Sequence, residues 1–99
     1  MKNCQFVVGI DVSKKTLDIC LLITADAANC HYYQTANNLK GYLRLLAWLK
    51  ARKVSLNEGL FLLEHTGVYS LIICLFLKKQ ALNYSLIPGI VLKKSMERE

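Results

Sequence analysis

Phe6-Val7-Val8-Gly9-Ile10 runs without a polar interruption into Asp11, and Leu60-Phe61-Leu62-Leu63 does the same into Glu64. Short apolar runs of this kind read as strands buried on both faces. An acid at the tip of such a strand stays solvated only where the tip opens into a cleft. Parallel neighbouring strands lie about 4.8 Å apart, so two tip acids there repel, and one takes up a proton unless a cation stands between them. A hard divalent ion with oxygen ligands meets that requirement. Asp11 and Glu64 therefore read as half of a metal site.

The flanking sequence supplies the rest of a sheet. Gln5 to Asp11 is the first expected strand, Ser13-Lys14-Lys15 a polar turn, and Thr16 to Ile23 a second strand. Leu17, Ile19 and Leu21 fall on one face of that strand; Asp18, Cys20 and Leu22 fall on the other. So short a connection calls for an antiparallel hairpin. Ala25 to Asn29 reads as the next turn, and Cys30 to Thr35, rich in Tyr and Thr, as a third strand. Asn37-Asn38 supplies a helix N-cap, after which Leu39, Tyr42, Leu43, Leu46 and Leu49 keep helical spacing to about Arg52. Lys40 and Arg44 lie opposite that stripe, and Trp48 reads as a core or edge packing residue rather than a platform for bases. Leu60 to Leu63 is the fourth strand. A second helix starts at Thr66 or Gly67, with Val68, Leu71, Ile72, Leu75 and Phe76 as its main stripe, and closes at Lys78-Lys79. Leu82 to Ile87 is a fifth strand stopped by Pro88-Gly89, and Ile90 to Glu99 reads as a helix start or a polar tail.

The order strand, strand, strand, helix, strand, helix, strand predicts an α/β mixed sheet with helices on its faces. It is the order of the ribonuclease H-like fold, in which the first and fourth strands are adjacent and their acids meet.

Composition sets the remaining bounds. Ninety-nine residues allow one domain, and 54% hydrophobic content is enough for a buried core. Thirteen Lys and Arg against seven Asp and Glu give a formal charge of +6, which favours a polyanionic partner but also describes solvated lysines. Cys4, Cys20, Cys30 and Cys74 form no Cys-x-x-Cys pair, so free, buried thiols are expected in place of zinc ligands or disulfides. The longest apolar stretch, Leu71 to Leu77, is far short of the roughly 20 residues of a membrane span, and no signal segment is visible. The reading is a cytoplasmic protein with no membrane partner.

Three segments together carry a resemblance: Gly9-Ile10-Asp11-Val12-Ser13-Lys14-Lys15-Thr16-Leu17-Asp18, then Asn38-x-x-Gly41, then Leu63-Glu64-His65-Thr66-Gly67-Val68-Tyr69. In order and spacing the chain resembles the start of the DEDD-type insertion-sequence transposases, which include the Piv-type DNA invertases. That resemblance implies a RuvC-like N-terminal domain of ribonuclease H fold, acting by magnesium-dependent DNA strand cleavage and exchange. It assigns Asp11 and Glu64 to the first and second of four magnesium-binding acids. The other two belong to a Lys-x-Asp-x-x-Asp-like segment after the fifth strand, whereas this chain has no Asp after Asp26. The expectation is therefore residues 1–99 as the N-terminal part of a RuvC-like domain, incomplete at its C-terminus, without the family's serine-bearing second domain and inactive alone. DNA is the implied partner; a guide RNA, a second copy or an intact transposase are further partners the family allows.

Among the cations, Lys14, Lys15, Lys40, Arg44, Lys93 and Lys94 are candidate phosphate contacts, each also readable as part of a solvated face. On residues alone, Asp11 is also readable as a turn-initiating acid, and Glu64 as an acid favoured at a helix N-terminus. Asp18 reads as a solvent-facing strand residue, His65 as a loop histidine, Ser13 and Thr66 as turn and cap residues, and Tyr69 as packing near the cleft. Two other functions compete. A sugar or acetate kinase-like ATPase shares the fold and a similar Gly-Ile-Asp hairpin, but Val12-Ser13-Lys14 stands where it needs small residues. A non-enzymatic fragment that binds nucleic acid or a transposase is the other.

Overall fold

β1 (Phe6–Val12) and β2 (Thr16–Ile23) form a hairpin whose tip is Lys14-Lys15. Ser13 closes it: its N–H donates to Thr16 O at 2.9 Å, and its Oγ accepts from the Thr16 N–H at 3.2 Å. The structure is a computed structural model that describes residues 5–23, 30–64 and 67–87. Then follow β3 (Cys30–Ala36), α1 (Leu39–Ala51), a short 3-10 turn, β4 (Gly59–Glu64), a second 3-10 turn at Gly67–Ser70, α2 (Leu71–Lys79) and β5 (Tyr84–Ile87). The strands make one five-stranded sheet in the order β3-β2-β1-β4-β5. β2 pairs antiparallel with β1 and β3, while β4 pairs parallel with β1 and β5. This is the mixed α/β sheet expected of a ribonuclease H-like fold. The turn expected at Ala25 to Asn29, and everything expected from Pro88 onward, lie outside the described residues.

Register decides which residues face the core. Val8 pairs with Leu21 and Phe61, and Ile10 with Ile19 and Leu63, so the apolar side chains form rows across three strands. Tyr42, Leu45, Leu46 and Leu49 of α1, with Ile73, Phe76 and Leu77 of α2, complete that core. The Phe6 and Phe61 rings meet edge to face at 6.1 Å, and Tyr42 meets Phe76 at 5.2 Å. The crossovers from β3 to β4 and from β4 to β5 step the same way across the sheet. Connections of one hand then bring both helices to one face. Val7, Gly9, Asp11, Asp18 and Leu22 alternate onto the other face and lie outside the core cluster. Among the described residues, no helix is long and apolar enough to cross a membrane.

α2 presents a different face from the one its spacing predicts, while α1 buries Tyr42, Leu46 and Leu49 of its expected stripe and is rotated only at the margins. In α1, Leu39 and Leu43 are exposed and Leu45 is buried. Gly41 explains the rotation: a Cβ there would fall 1.8 Å from Ala36 O, so the helix seats on its glycine and turns the line through Leu45 and Leu49 inward. In α2, Val68, Leu71, Ile72 and Leu75 are exposed, while Ile73, Phe76 and Leu77 are buried. A helix apolar nearly all round carries no phase in its sequence, and its 3-10 entry, wound at three residues per turn, shifts the phase further. Cys30 is exposed rather than buried, being at the start of an edge strand, whereas Cys20 is buried. Trp48 packs as expected: Tyr33 stacks on it at 5.0 Å and the Arg52 guanidinium sits 4.7 Å from its ring centroid.

Candidate functional site

β1, β3, β4 and β5 run in one direction, so their carboxyl ends share one edge of the sheet. There the chain leaves β1 toward β2 on one side and leaves β4 toward α2 and β5 on the other. Such a divergence between neighbouring parallel strands opens a crevice at their carboxyl ends, the usual ligand position in open α/β sheets. Ile10 is paired with Leu63, and Asp11 and Glu64 are the next residues on their strands. Glu64 is in turn paired with Ile87 on β5.

Asp11 is half-buried. Directly opposite it on β2 stands Asp18, exposed as expected, with Gln34 Nε2 donating to its Oδ1 at 2.8 Å. The pairing of Asp11 with Asp18 escapes a residue-by-residue reading. Its signal was the hairpin itself, because the two acids stand three residues either side of the Lys14-Lys15 tip.

Loops around the edge are built by side-chain amides. Asn38 is the N-cap of α1, its Oδ1 accepting from the Gly41 N–H at 2.9 Å. Thr35 Oγ1 donates to Gly41 O at 3.1 Å, fastening the helix start to β3. The Asn38-x-x-Gly41 spacing is thus a cap and the close approach it permits. Asn37 bonds outward instead, with its Nδ2 donating to Ser13 O at 2.9 Å and to Tyr69 O at 3.0 Å. Ser13 is the turn residue expected. Tyr69 is largely exposed, and its backbone carbonyl is what the edge uses.

Of the candidate phosphate contacts, Lys14 and Lys15 are exposed at the hairpin tip beside this edge, and Lys40 and Arg44 are exposed on α1. Lys93 and Lys94, like His65 and Thr66, lie outside the described residues.

A transposase family model, the DEDD transposases of the IS110 type, matches residues 8–99. The chain belongs to this transposase family. Two curated relatives, the pilin gene-inverting proteins of Moraxella lacunata and Moraxella bovis, are each 31% identical to it over 62 residues. Those matches cover 63% of this chain but 18% of either relative, so this transposase chain spans under a fifth of their length. The family match begins at Val8, within β1, and takes in both tip acids and the whole of the other four strands.

Proposed function

We propose that this chain forms the N-terminal, cation-binding part of a DNA transposase or invertase, with Asp11 and Glu64 binding magnesium for DNA strand cleavage and exchange. The observation that carries the reading is the register of Ile10 against Leu63, which makes the two acids successive neighbours at a divergence of the sheet. The donor chemistry fits the ion: both residues offer carboxylate oxygens, the ligands magnesium prefers. When bound, the ion supplies charge neutralisation at a phosphate and orientation of the attacking oxygen. Family membership, and relatives named for gene inversion, support DNA as the substrate. Lys14, Lys15, Lys40 and Arg44 hold phosphates without reading sequence, and would serve an RNA partner by the same chemistry.

Two acids hold a hydrated magnesium ion only weakly. The family pattern asks for two more, and the 99 residues contain no Asp after Asp26. This chain alone therefore binds cation and nucleic acid without cutting. The test is to titrate magnesium into isotope-labelled protein and, in parallel, to incubate the protein with labelled duplex DNA. The expected result is millimolar shifts centred on Asp11 and Glu64, absent in Asp11→Asn, and intact DNA. No shifts at that edge would sink the cation site; magnesium-dependent cuts that Asp11→Asn abolishes would sink the claim of inactivity.

A further inference from the structure

Asn37 occupies the two-residue link between β3 and α1, yet none of its bonds cap the helix. Its backbone N–H donates to Lys15 O at 2.9 Å, on the hairpin tip after β1. Its side-chain amide donates one hydrogen to Ser13 O at 2.9 Å, two residues beyond Asp11. The other hydrogen goes to Tyr69 O at 3.0 Å, in the 3-10 turn that follows Glu64. Tyr42, buried in α1, donates its hydroxyl to the remaining Oδ1.

These partners fix the amide's orientation. Backbone carbonyls only accept, so both must face the NH2, and Oδ1 is left for the phenol. Burial raises the Tyr42 pKa above its ordinary value, so the phenol keeps the proton it donates. No other side chain of this size offers two donors and one acceptor in that arrangement. An Asp would set an oxygen against two carbonyls, and a Ser would reach one of them at most.

We infer that Asn37 is the positioning residue of the carboxylate edge, its amide clasping the loop after β1 to the loop after β4. Strand pairing fixes the relative height of β1 and β4 as far as Ile10 and Leu63. Beyond that pair the two chains part, one toward β2 and the other toward α2. Asp11 and Glu64 stand at the parting, and the Asn37 amide is the bond across it. α1 serves as the anvil: Tyr42, buried in the core, orients the amide, whose two bridging bonds to Ser13 and Tyr69 lie at the solvent-exposed edge. This assignment rests on the reading of Asp11 and Glu64 as a cation site.

The experiment compares wild type with Asn37→Ala and with the isosteric Asn37→Asp, using Tyr42→Phe and Asn38→Ala as controls. Amide hydrogen exchange tests the clasp without any cation. Both Asn37 variants should exchange at least about tenfold faster at Ser13 and Thr16 and through the Gly67–Ser70 turn, with Val8, Ile10 and Leu49 little changed. Tyr42→Phe leaves both bridging bonds but removes the one that orients the amide, so its loops should exchange faster than in wild type and more slowly than in the Asn37 variants. Unchanged exchange in both Asn37 variants overturns the inference whatever the cation does.

Manganese affinity, read from the electron paramagnetic resonance of the free ion, then tests positioning in folded protein. Wild type should bind, Asp11→Asn should not, and Asn37→Ala should bind several-fold more weakly while Asn38→Ala matches wild type. Equal affinity in Asn37→Ala and wild type would reduce Asn37 to a purely structural residue and overturn the inference. Failure of wild type to bind overturns the cation site itself, and the positioning role with it, a result recognisable because it is the same in every variant.

Discussion

Asp11 and Asp18 face each other across the β1–β2 ladder, two like charges at one register position. Such cross-strand pairs are destabilising by up to about 1 kcal/mol when nothing neutralises them. Gln34 compensates Asp18 in part, donating to its Oδ1 at 2.8 Å. Replacing Asp18 by Asn keeps that acceptor and removes one charge. Asp18→Asn should therefore raise the urea midpoint by about 0.3 M in cation-free buffer at neutral pH. Millimolar magnesium should narrow the difference, because a cation near Asp11 relieves the same repulsion in wild type. A lowered midpoint would mean that Asp18 contributes a contact beyond its bond to Gln34.

The phase of α2 makes a second prediction. Ile72 and Ile73 are neighbours of identical chemistry, the first 62% exposed and the second fully buried. Ile73→Ala removes a side chain from the core and should cost about 2–5 kcal/mol in denaturant unfolding. Ile72→Ala should stay within about 0.5 kcal/mol. Reversed costs would show that the helix seats on the stripe Val68, Leu71, Ile72 and Leu75 after all.

Much of this architecture is legible in the sequence, and what escapes has physical reasons. β2 spans Thr16–Ile23 as its alternation predicts: Leu17, Ile19 and Leu21 are buried on one face, and on the other Asp18 and Leu22 are not, with Cys20 between them the exception. β1 and β4 are legible as uninterrupted apolar runs ending in acids. α1 is visible from its cap and its spacing, but its rotation is set by the approach of Gly41 to Ala36, a tertiary contact between segments that pattern alone does not join. α2 is visible as a helix and silent about its face, since seven of its nine residues, Leu71 to Leu77, are apolar without a break. At the edge, Asp11 and Glu64 stand out because acids at strand tips are unusual. Asn37 does not, because an Asn before a helix already has an explanation as a cap, and only the folded arrangement separates its bonds from those of Asn38.

Lys14 and Lys15 allow a test of the nucleic-acid edge. Both are exposed at the tip of a closed turn, so their replacement changes charge with little effect on packing. Each lysine that neutralises a phosphate releases counterions, and its loss lowers the slope of log affinity against log salt by about one. Lys14→Ala with Lys15→Ala should thus lower that slope by about two on duplex DNA, equally for unrelated sequences. A slope unchanged within error would place the tip outside the contact surface.

The last prediction concerns alkaline stability. The Cys20 thiol is pushed from its ordinary 9.0 to about 11, first by burial and then by the Cys30 thiol beside it, against a lowering hydrogen bond from Tyr32. In the unfolded chain Cys20 ionises near its ordinary value, so between pH 9 and 11 the unfolded state sheds a proton that the folded state keeps. The folded state binds more protons in that window, and stability must fall as pH rises through it. Its contribution is fully present below pH 9 and gone once the pH has passed about 11. Tyr42 adds to the same trend at higher pH, because burial raises its phenol and the charge of Cys74 raises it further. Thermal melts of wild type should therefore decline from pH 9 upward. Cys20→Ala should melt lower at pH 8, having lost a buried side chain, yet decline less steeply between pH 9 and 11. If its slope there equals that of wild type, the buried thiol is not the group whose titration opens the sheet.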